Sequence, residues 1–213
     1  MTPAPTPAPR TTKPSAQRRA EILDAALHLF TTKGVQATSV EDIMRAVGIA
    51  KGTLYYHFRS KDEILHALIA RTIDQTVARA RAVVDGPGDT THTFLGVVAT
   101  MRVETSEREL AHAFHGPEST ELHLLSIVEM VRAMTPILTE VVERGVAEGV
   151  FSTEHPREVV ELLLVGAGML LDDGIFSGDS EQLARRTAGI VDAAEVLLGC
   201  RHGSLSSLIE GAS

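Results

Sequence analysis

Tryptophan is absent from this 213-residue chain, tyrosine occurs twice and cysteine once. A single cysteine excludes an intrachain disulfide and fits a reducing compartment, and Cys200 reads as a small, partly buried hydrophobe rather than a redox sensor. With aromatic residues at 4% against 44% hydrophobic residues in all, the core has to be aliphatic, which suits a soluble, helix-rich protein. Long apolar runs are missing too. The longest without a charge, Leu162 to Leu171, has ten residues, far short of the ~20 that span a bilayer, so no membrane partner is expected. The N-terminus lacks an apolar stretch of secretory-signal length and is broken by prolines, which makes the cytoplasm the expected location. Also absent are a Gly-x-Ser-x-Gly elbow, a phosphate-cradling glycine loop, a dinucleotide fingerprint and any carboxylate pair that spacing singles out. Neither catalysis nor a cofactor is therefore expected.

The net charge of −8 argues against nucleic acid as a partner until it is divided along the chain. Residues 1–60 hold eight Lys or Arg and four Asp or Glu, net +4; subtraction from the totals of 20 and 28 leaves twelve basic and twenty-four acidic residues for 61–213, net −12. A local basic footprint marks a small DNA-binding module, and the acidic remainder keeps the rest of the chain off the phosphates. Residues 1–14 carry five of the nine prolines and are expected to form a disordered tail. Arg10 and Lys13, with Arg18 and Arg19, either reach for a minor groove or belong to a solvated tail with nonspecific attraction to DNA.

What is present is concentrated between Ser39 and Phe58. Val40, Ile43, Met44 and Val47 recur at helical spacing, Ser39 is placed as an N-cap with Asp42 three residues on, and Gly48 supplies a left-handed turn. In the following short helix Leu54 and Phe58 are the only large apolar pair. Lys51, Gly52, Thr53, Tyr55, Tyr56 and His57 are left facing outward, a mixture of cation, hydroxyls and flat rings suited to phosphates and base edges in a major groove. Upstream, a helix from about Ala16 to Lys33, capped by Ser15 and ended by Gly34, offers Ile22, Leu23, Ala26, Leu29 and Phe30 as the floor. Downstream, Ser60 and Glu63 form a capping box for a helix running to about Val84, with Lys61 at a position that the helix dipole disfavours.

The run ATSVEDIMRAVGIAKGTLYYHFRSKDEIL, preceded by RRAEILDAALHLFTTKG, resembles the DNA-binding domain of the tetracycline-repressor (TetR/AcrR) family over about sixty residues. The resemblance implies an all-α chain: an N-terminal three-helix helix-turn-helix domain at 15–76, motif 39–58, and a larger helical domain for effector binding and dimerisation at 77–213. It implies a regulator, as a repressor, on a pseudo-palindromic DNA operator, a homodimer formed by a four-helix bundle, and a small-molecule effector that shifts the fourth helix. Ser39 and Lys61 would contact the DNA backbone, Lys61 by the family's phosphate contact. Ala50 departs from the pattern, standing where a Ser or Thr cap is common. A ligand-independent regulator or scaffold on the same fold is the alternative, and a metal-dependent sensor or enzyme is a more distant one.

Helices are further predicted at Thr91–Glu104, Ser106–Phe114, Ser119–Gly149, Pro156–Asp173 and Ser180–Leu198, with a kink or break at Pro136. Phe94, Met101, Phe114, Leu122, Leu125, Met130, Met134 and Leu138 are candidates for lining an apolar effector cavity, although core packing uses the same residue types. His112, His115 and His123, with Glu118 and Glu121, gather possible metal ligands, but without a ligand-spacing fingerprint no metal is expected. Val159 to Leu171 is apolar almost all round, with Gly166 and Gly168 permitting close approach, and the last helix has a broad aliphatic side. Leu162, Val165, Met169, Val191, Ala194 and Leu198 are the expected subunit interface.

Overall fold

The computed structural model describes residues 14–101, 120–172, 175–176 and 178–207. Among the described residues there are eight α-helices and no strand. Arg10, Lys13, His112, Phe114, His115 and Glu118, together with the helix predicted at 106–114, lie outside the described residues.

Two compact units divide at Leu68 and Ile69; the division expected after Thr76 falls within the same helix. The first unit begins with α1 (Ser15–Lys33), whose Ile22, Leu23, Ala26 and Phe30 are buried. Ser15 was expected to cap this helix. It is instead the first helical residue, and the Pro14 carbonyl accepts from the Arg18 N–H at 3.1 Å. Gly34, at φ +89°, ends α1. Helices α2 (Val40–Val47) and α3 (Lys51–His57) follow, and then α4 (Lys61–Val84), which continues into the second unit. The box expected at the start of α4 is offset by one residue: Ser60 Oγ accepts from Glu63 N–H at 3.1 Å, while the Glu63 carboxylate accepts from Arg59 N–H at 2.6 Å.

The second unit contains α5 (Thr90–Thr100), α6 (Thr120–Ala147), α7 (Pro156–Leu170) and α8 (Ser180–Leu198); α6 packs on α5 and α7, and α7 on α8. Its core is aliphatic, as the composition requires, with Phe94 meeting Phe151 edge-on at 5.9 Å between centroids. Gly145 makes that core possible, because a Cβ there would stand 2.3 Å from the Phe151 ring. Neither a helix break nor a separate pair of helices occurs at Pro136. α6 runs through it from Thr120 to Ala147, because Met134, Ile137, Leu138 and Val141 bury fully on the core across the missing N–H. Gly168 does permit close approach, its Cβ position lying 3.1 Å from Ile127 Cγ2, whereas Gly166 faces open space.

After α8, Gly199 turns the chain in the left-handed region and residues 200–207 fold back on the helix. Glu195, only 1% exposed, holds them there. Its carboxylate accepts from the N–H groups of Gly203 (2.7 Å), Leu205 (2.8 Å) and Ser206 (3.1 Å). Those amides, Gly203 foremost, lower the Glu195 pKa to about 2 against the opposing effect of burial. Leu205, 1% exposed, closes the core beneath.

Candidate nucleic-acid interface

The candidate surface is built on a two-helix corner whose geometry is fixed from both ends. Ser39 caps α2 in a reciprocal box: its hydroxyl accepts from Asp42 N–H at 3.1 Å and the Asp42 carboxylate accepts from Ser39 N–H at 3.0 Å. Asp42 also takes the Lys33 ammonium at 2.6 Å and the Arg45 guanidinium at 3.2 Å, tying the end of α1 to the start of α2. The Lys33 hydrogen bond, then those from Ser39, hold the Asp42 carboxyl well below the usual carboxylate range. Gly48, at φ +71°, closes α2 with its N–H on the Met44 carbonyl at 2.9 Å. Only a residue without a Cβ takes that conformation cheaply.

α3 has no side-chain cap; Ala50 stands at that position, as the sequence indicated. Its inner side is sealed by Leu54 at 0% and Phe58 at 1% exposure. Its outer side carries Lys51, Gly52, Tyr55 at 41% and Tyr56 at 78%, with Thr53 and His57 half-buried at the margins. The Lys51 ammonium lies 5.7 Å from the Tyr55 ring centroid, and the Tyr56 and His57 rings meet edge-on at 5.0 Å. The structure therefore brings the α3 candidates together on one solvent-facing surface.

Lys61 is different. Its side chain is partly buried, and its ammonium donates to the Val35 carbonyl at 3.0 Å and the Thr38 carbonyl at 3.3 Å. The ammonium expected at a DNA phosphate lies, in the free subunit, on the turn between α1 and α2. Arg19, a candidate for an arm toward the minor groove, holds its guanidinium over the Phe58 ring. No local spacing rule relates two residues so far apart in sequence.

In the second unit, Phe94 at 6% and Met134 at 0% exposure are core residues, Met101 and Met130 pack partly buried against the same core, and Leu125 is half-buried. Of the six interface candidates, Leu162 at 60% and Val165 at 48% are exposed on α7 and Met169 is half-buried beyond them. Ala194 and Leu198, at 7% and 0%, are corrections: both are buried in the subunit's own core, with Val191 packed against it. The outward side of α8 is carried instead by Gly189, Ala193 and Val196, the last 77% exposed. His123 Nε2 lies 2.9 Å from Asp172 Oδ1, a pairing between α6 and the end of α7. Asp192, Glu195 and His202 place ligand atoms within 4.8 Å of one another. The Glu195 oxygens, however, already serve three backbone amides, which suits a structural latch better than a metal cage. Among the described residues no helix is long and apolar enough to cross a membrane.

Comparison with known proteins agrees with this geometry. Residues 22–68 match the family described as bacterial regulatory proteins, tetR family, and residues 102–192 match the tetracyclin repressor-like C-terminal domain. The chain is 30% identical to the HTH-type transcriptional repressor KstR2 of Rhodococcus jostii over 146 residues, 67% of this chain and 72% of that protein. Over a shorter stretch of 56 residues, 26% of each chain, it is 45% identical to the HTH-type transcriptional regulator AcrR of Shigella flexneri. Among solved structures, a transcriptional regulator of the TetR/AcrR family from Thermobifida fusca has the same fold at a TM-score of 0.62 and 24% identity, covering 85% of this chain and 97% of that one. Salmonella enterica GusR gives 0.62 at 21% identity over 89% and 99%.

Proposed function

The chain belongs to the TetR family of bacterial transcriptional regulators, and we propose that it is a homodimeric repressor whose two α3 helices read the half-sites of a pseudo-palindromic operator until a small-molecule effector releases it. The protein is a DNA-binding regulator and not an enzyme. One observation carries the finer reading: α3 buries Leu54 and Phe58 completely while leaving Tyr56 78% and Tyr55 41% exposed beside Lys51. Burying aromatic area is normally favourable. Two adjacent tyrosines held outside a packed corner, next to a cation, suit phosphate oxygens and base edges.

Tyr56 and Thr53 take base contacts, Lys51 and Tyr55 a phosphate, and Ser39 the backbone at the start of α2; Gly52 lets the phosphate chain approach and His57 flanks Tyr56. Repression is supported by the printed role of KstR2. Dimerisation is supported by the apolar side of α7, where Leu162 and Val165 stand in solvent in the single subunit. The effector site falls in the second unit, where Met101, Met130 and Leu125 are only partly buried and can repack around an apolar ligand. Release requires that this ligand bind the two conformations of the dimer with different affinity, and α4, which continues from one unit into the other, is the element to carry the difference. Such a protein works where the chromosome is, in the cytoplasm.

The test is recovery of bound fragments from a genomic DNA pool, followed by band shifts with Tyr56→Ala and Lys51→Ala at fixed salt. A recovered inverted repeat that both variants bind more weakly supports the reading. No enrichment, or unchanged affinity in both variants, overturns it.

A further inference from the structure

Arg144 stands in the last turn of α6, half-buried as a residue, with its Nε and Nη2 atoms closed to solvent. Among the described residues no acceptor reaches either atom. A guanidinium cannot shed its proton in a protein, so desolvated donors without acceptors destabilise the fold that holds them. The ordinary partners of a helical arginine are engaged elsewhere. Glu140, four residues before it, takes the Arg81 guanidinium of α4, and Glu148, four residues after it, takes the Thr90 hydroxyl at 2.5 Å. The last carbonyls of the helix are in use too: that of Arg144 accepts from Glu148 N–H at 3.0 Å, that of Gly145 from Val150 and Phe151 N–H at 2.8 and 3.1 Å, and that of Val146 from Gly149 N–H at 3.1 Å. The negative end of the α6 dipole favours a cation here, but it is not a hydrogen-bond acceptor. Nε–H and one Nη2–H lie side by side on one edge of the planar fork, the edge that grips two oxygens at once.

We infer that this edge of Arg144 is a binding site for the carboxylate of a small organic acid. A carboxylate matches it in number and in charge, with two oxygens for two N–H groups and one negative charge for one positive. A phosphate group would bring more oxygens than the edge can serve and more than one charge, beside a core in which Val141, Val142 and Phe151 are each at most 2% exposed. The remainder of the acid can be apolar for the same reason. A carboxylate on the surface of another protein molecule fits less well, because the edge is covered by the subunit's own atoms and its occupant has to enter the subunit. The half-buried side chain, which reaches the surface, gives the way in. Met130 and Leu125, placed at the effector, lie fourteen and nineteen residues earlier on α6, which is roughly 20 Å or more along the helix. Carboxylate binding at Arg144 is therefore independent of the repressor reading.

Two experiments on the full chain test this, and neither needs DNA. The first compares wild type with Arg144→Met by thermal unfolding in a chloride buffer free of carboxylates. Methionine keeps an apolar stem and removes the desolvated charge, so the variant should melt at or above wild type. A lower melting temperature means that the guanidinium is satisfied within the fold, and overturns the inference. Dissociation of the Arg144→Met oligomer in sedimentation would place the acceptor on a second subunit and overturns it too. The second titrates both proteins with sodium hexanoate and sodium acetate at matched ionic strength, with hexanol as the neutral control. The wild-type melting temperature should rise and saturate with hexanoate but not with hexanol, and that of Arg144→Met should not respond. Arg144→Lys, which keeps the charge but lacks the fork, should show an apparent dissociation constant roughly ten-fold or more above wild type. A wild type that neither carboxylate stabilises, a rise of equal size in Arg144→Met, or an equal response to hexanol overturns the inference.

Discussion

The guanidinium carbon of Arg19 stands 4.8 Å from the centroid of the Phe58 ring. Arg19 belongs to the first turns of α1 and Phe58 caps the end of α3, so this contact sets the far end of α3 against the helix on which it rests. Because α3 has no side-chain cap at its start, its order depends on such contacts. Arg19→Ala should lower stability by about 0.5–1 kcal/mol, the usual worth of an exposed cation–π pair. Arg19→Lys should keep part of it. Thermal unfolding that is the same in Arg19→Ala and wild type would remove Arg19 from this role.

Leu54 and Tyr56 are two residues apart on α3 and predict opposite phenotypes. Leu54, 0% exposed, should cost ~2–5 kcal/mol of stability as Leu54→Ala, through lost burial and the cavity left behind. Tyr56, 78% exposed, should leave the melting midpoint of Tyr56→Ala unchanged while operator affinity falls. Calorimetry and band shifts on the same two proteins separate the roles. A destabilised Tyr56→Ala, or a Leu54→Ala that melts with wild type, reverses the assignment of faces.

The first unit was legible in the sequence because its signals are local. Ser39 and Asp42 are three residues apart, Gly48 follows the last apolar position of α2, and Leu54 and Phe58 are four apart, so spacing alone orients each side chain. Contacts that close across the fold left no such trace. Nothing in the spacing of Lys61 relates it to Val35, or of Arg19 to Phe58, and both lysine and arginine are ordinary on a solvated helix. The interface on α8 shows a second limit. A helix with a broad aliphatic side offers two overlapping stripes, and periodicity cannot say which one the subunit covers for itself. Ala194 and Leu198 belong to the covered stripe, in one core cluster with Leu205 of the segment that Glu195 holds, and a buried glutamate with backbone partners eight to eleven residues on has no sequence signature. At Pro136 spacing could not choose between a kink and a break, and the helix stays continuous with apolar residues buried on both sides of the proline.

Glu195 predicts a specific dependence on pH. Its carboxyl is lowered from an ordinary 4.5 to about 2 by the amides of Gly203, Leu205 and Ser206. A depressed carboxyl stabilises the fold above its unfolded pKa, and that contribution is lost as pH falls through the folded one. The loss contributed by Glu195 therefore falls between 4.5 and about 2. Glu195→Gln, which cannot ionise, should be less stable than wild type near neutrality, and the gap should narrow on acidification through that window. Urea melts of both proteins at several pH values measure it; a gap that stays constant with pH would mean the charge on Glu195 contributes nothing to holding the C-terminal segment.

The exposed side of α7 predicts the assembly. Leu162 and Val165 are three residues apart, so they share one face, and Met169 continues it at the next turn. A charge placed there would have to be desolvated without a partner if the face is covered by a second subunit, at a cost of several kcal/mol per ion. In the free subunit the same charge would stay in water at almost no cost. Leu162→Glu should therefore shift the protein from dimer to monomer in sedimentation while leaving helical content intact. Leu198→Ala, on the covered stripe of α8, should instead lower the melting temperature and leave the subunit association constant near its wild-type value. If Leu162→Glu sediments as a dimer, the face of α7 does not form the interface. If Leu198→Ala dissociates without losing stability, the stripe assigned to the subunit's own core is the one that meets the partner.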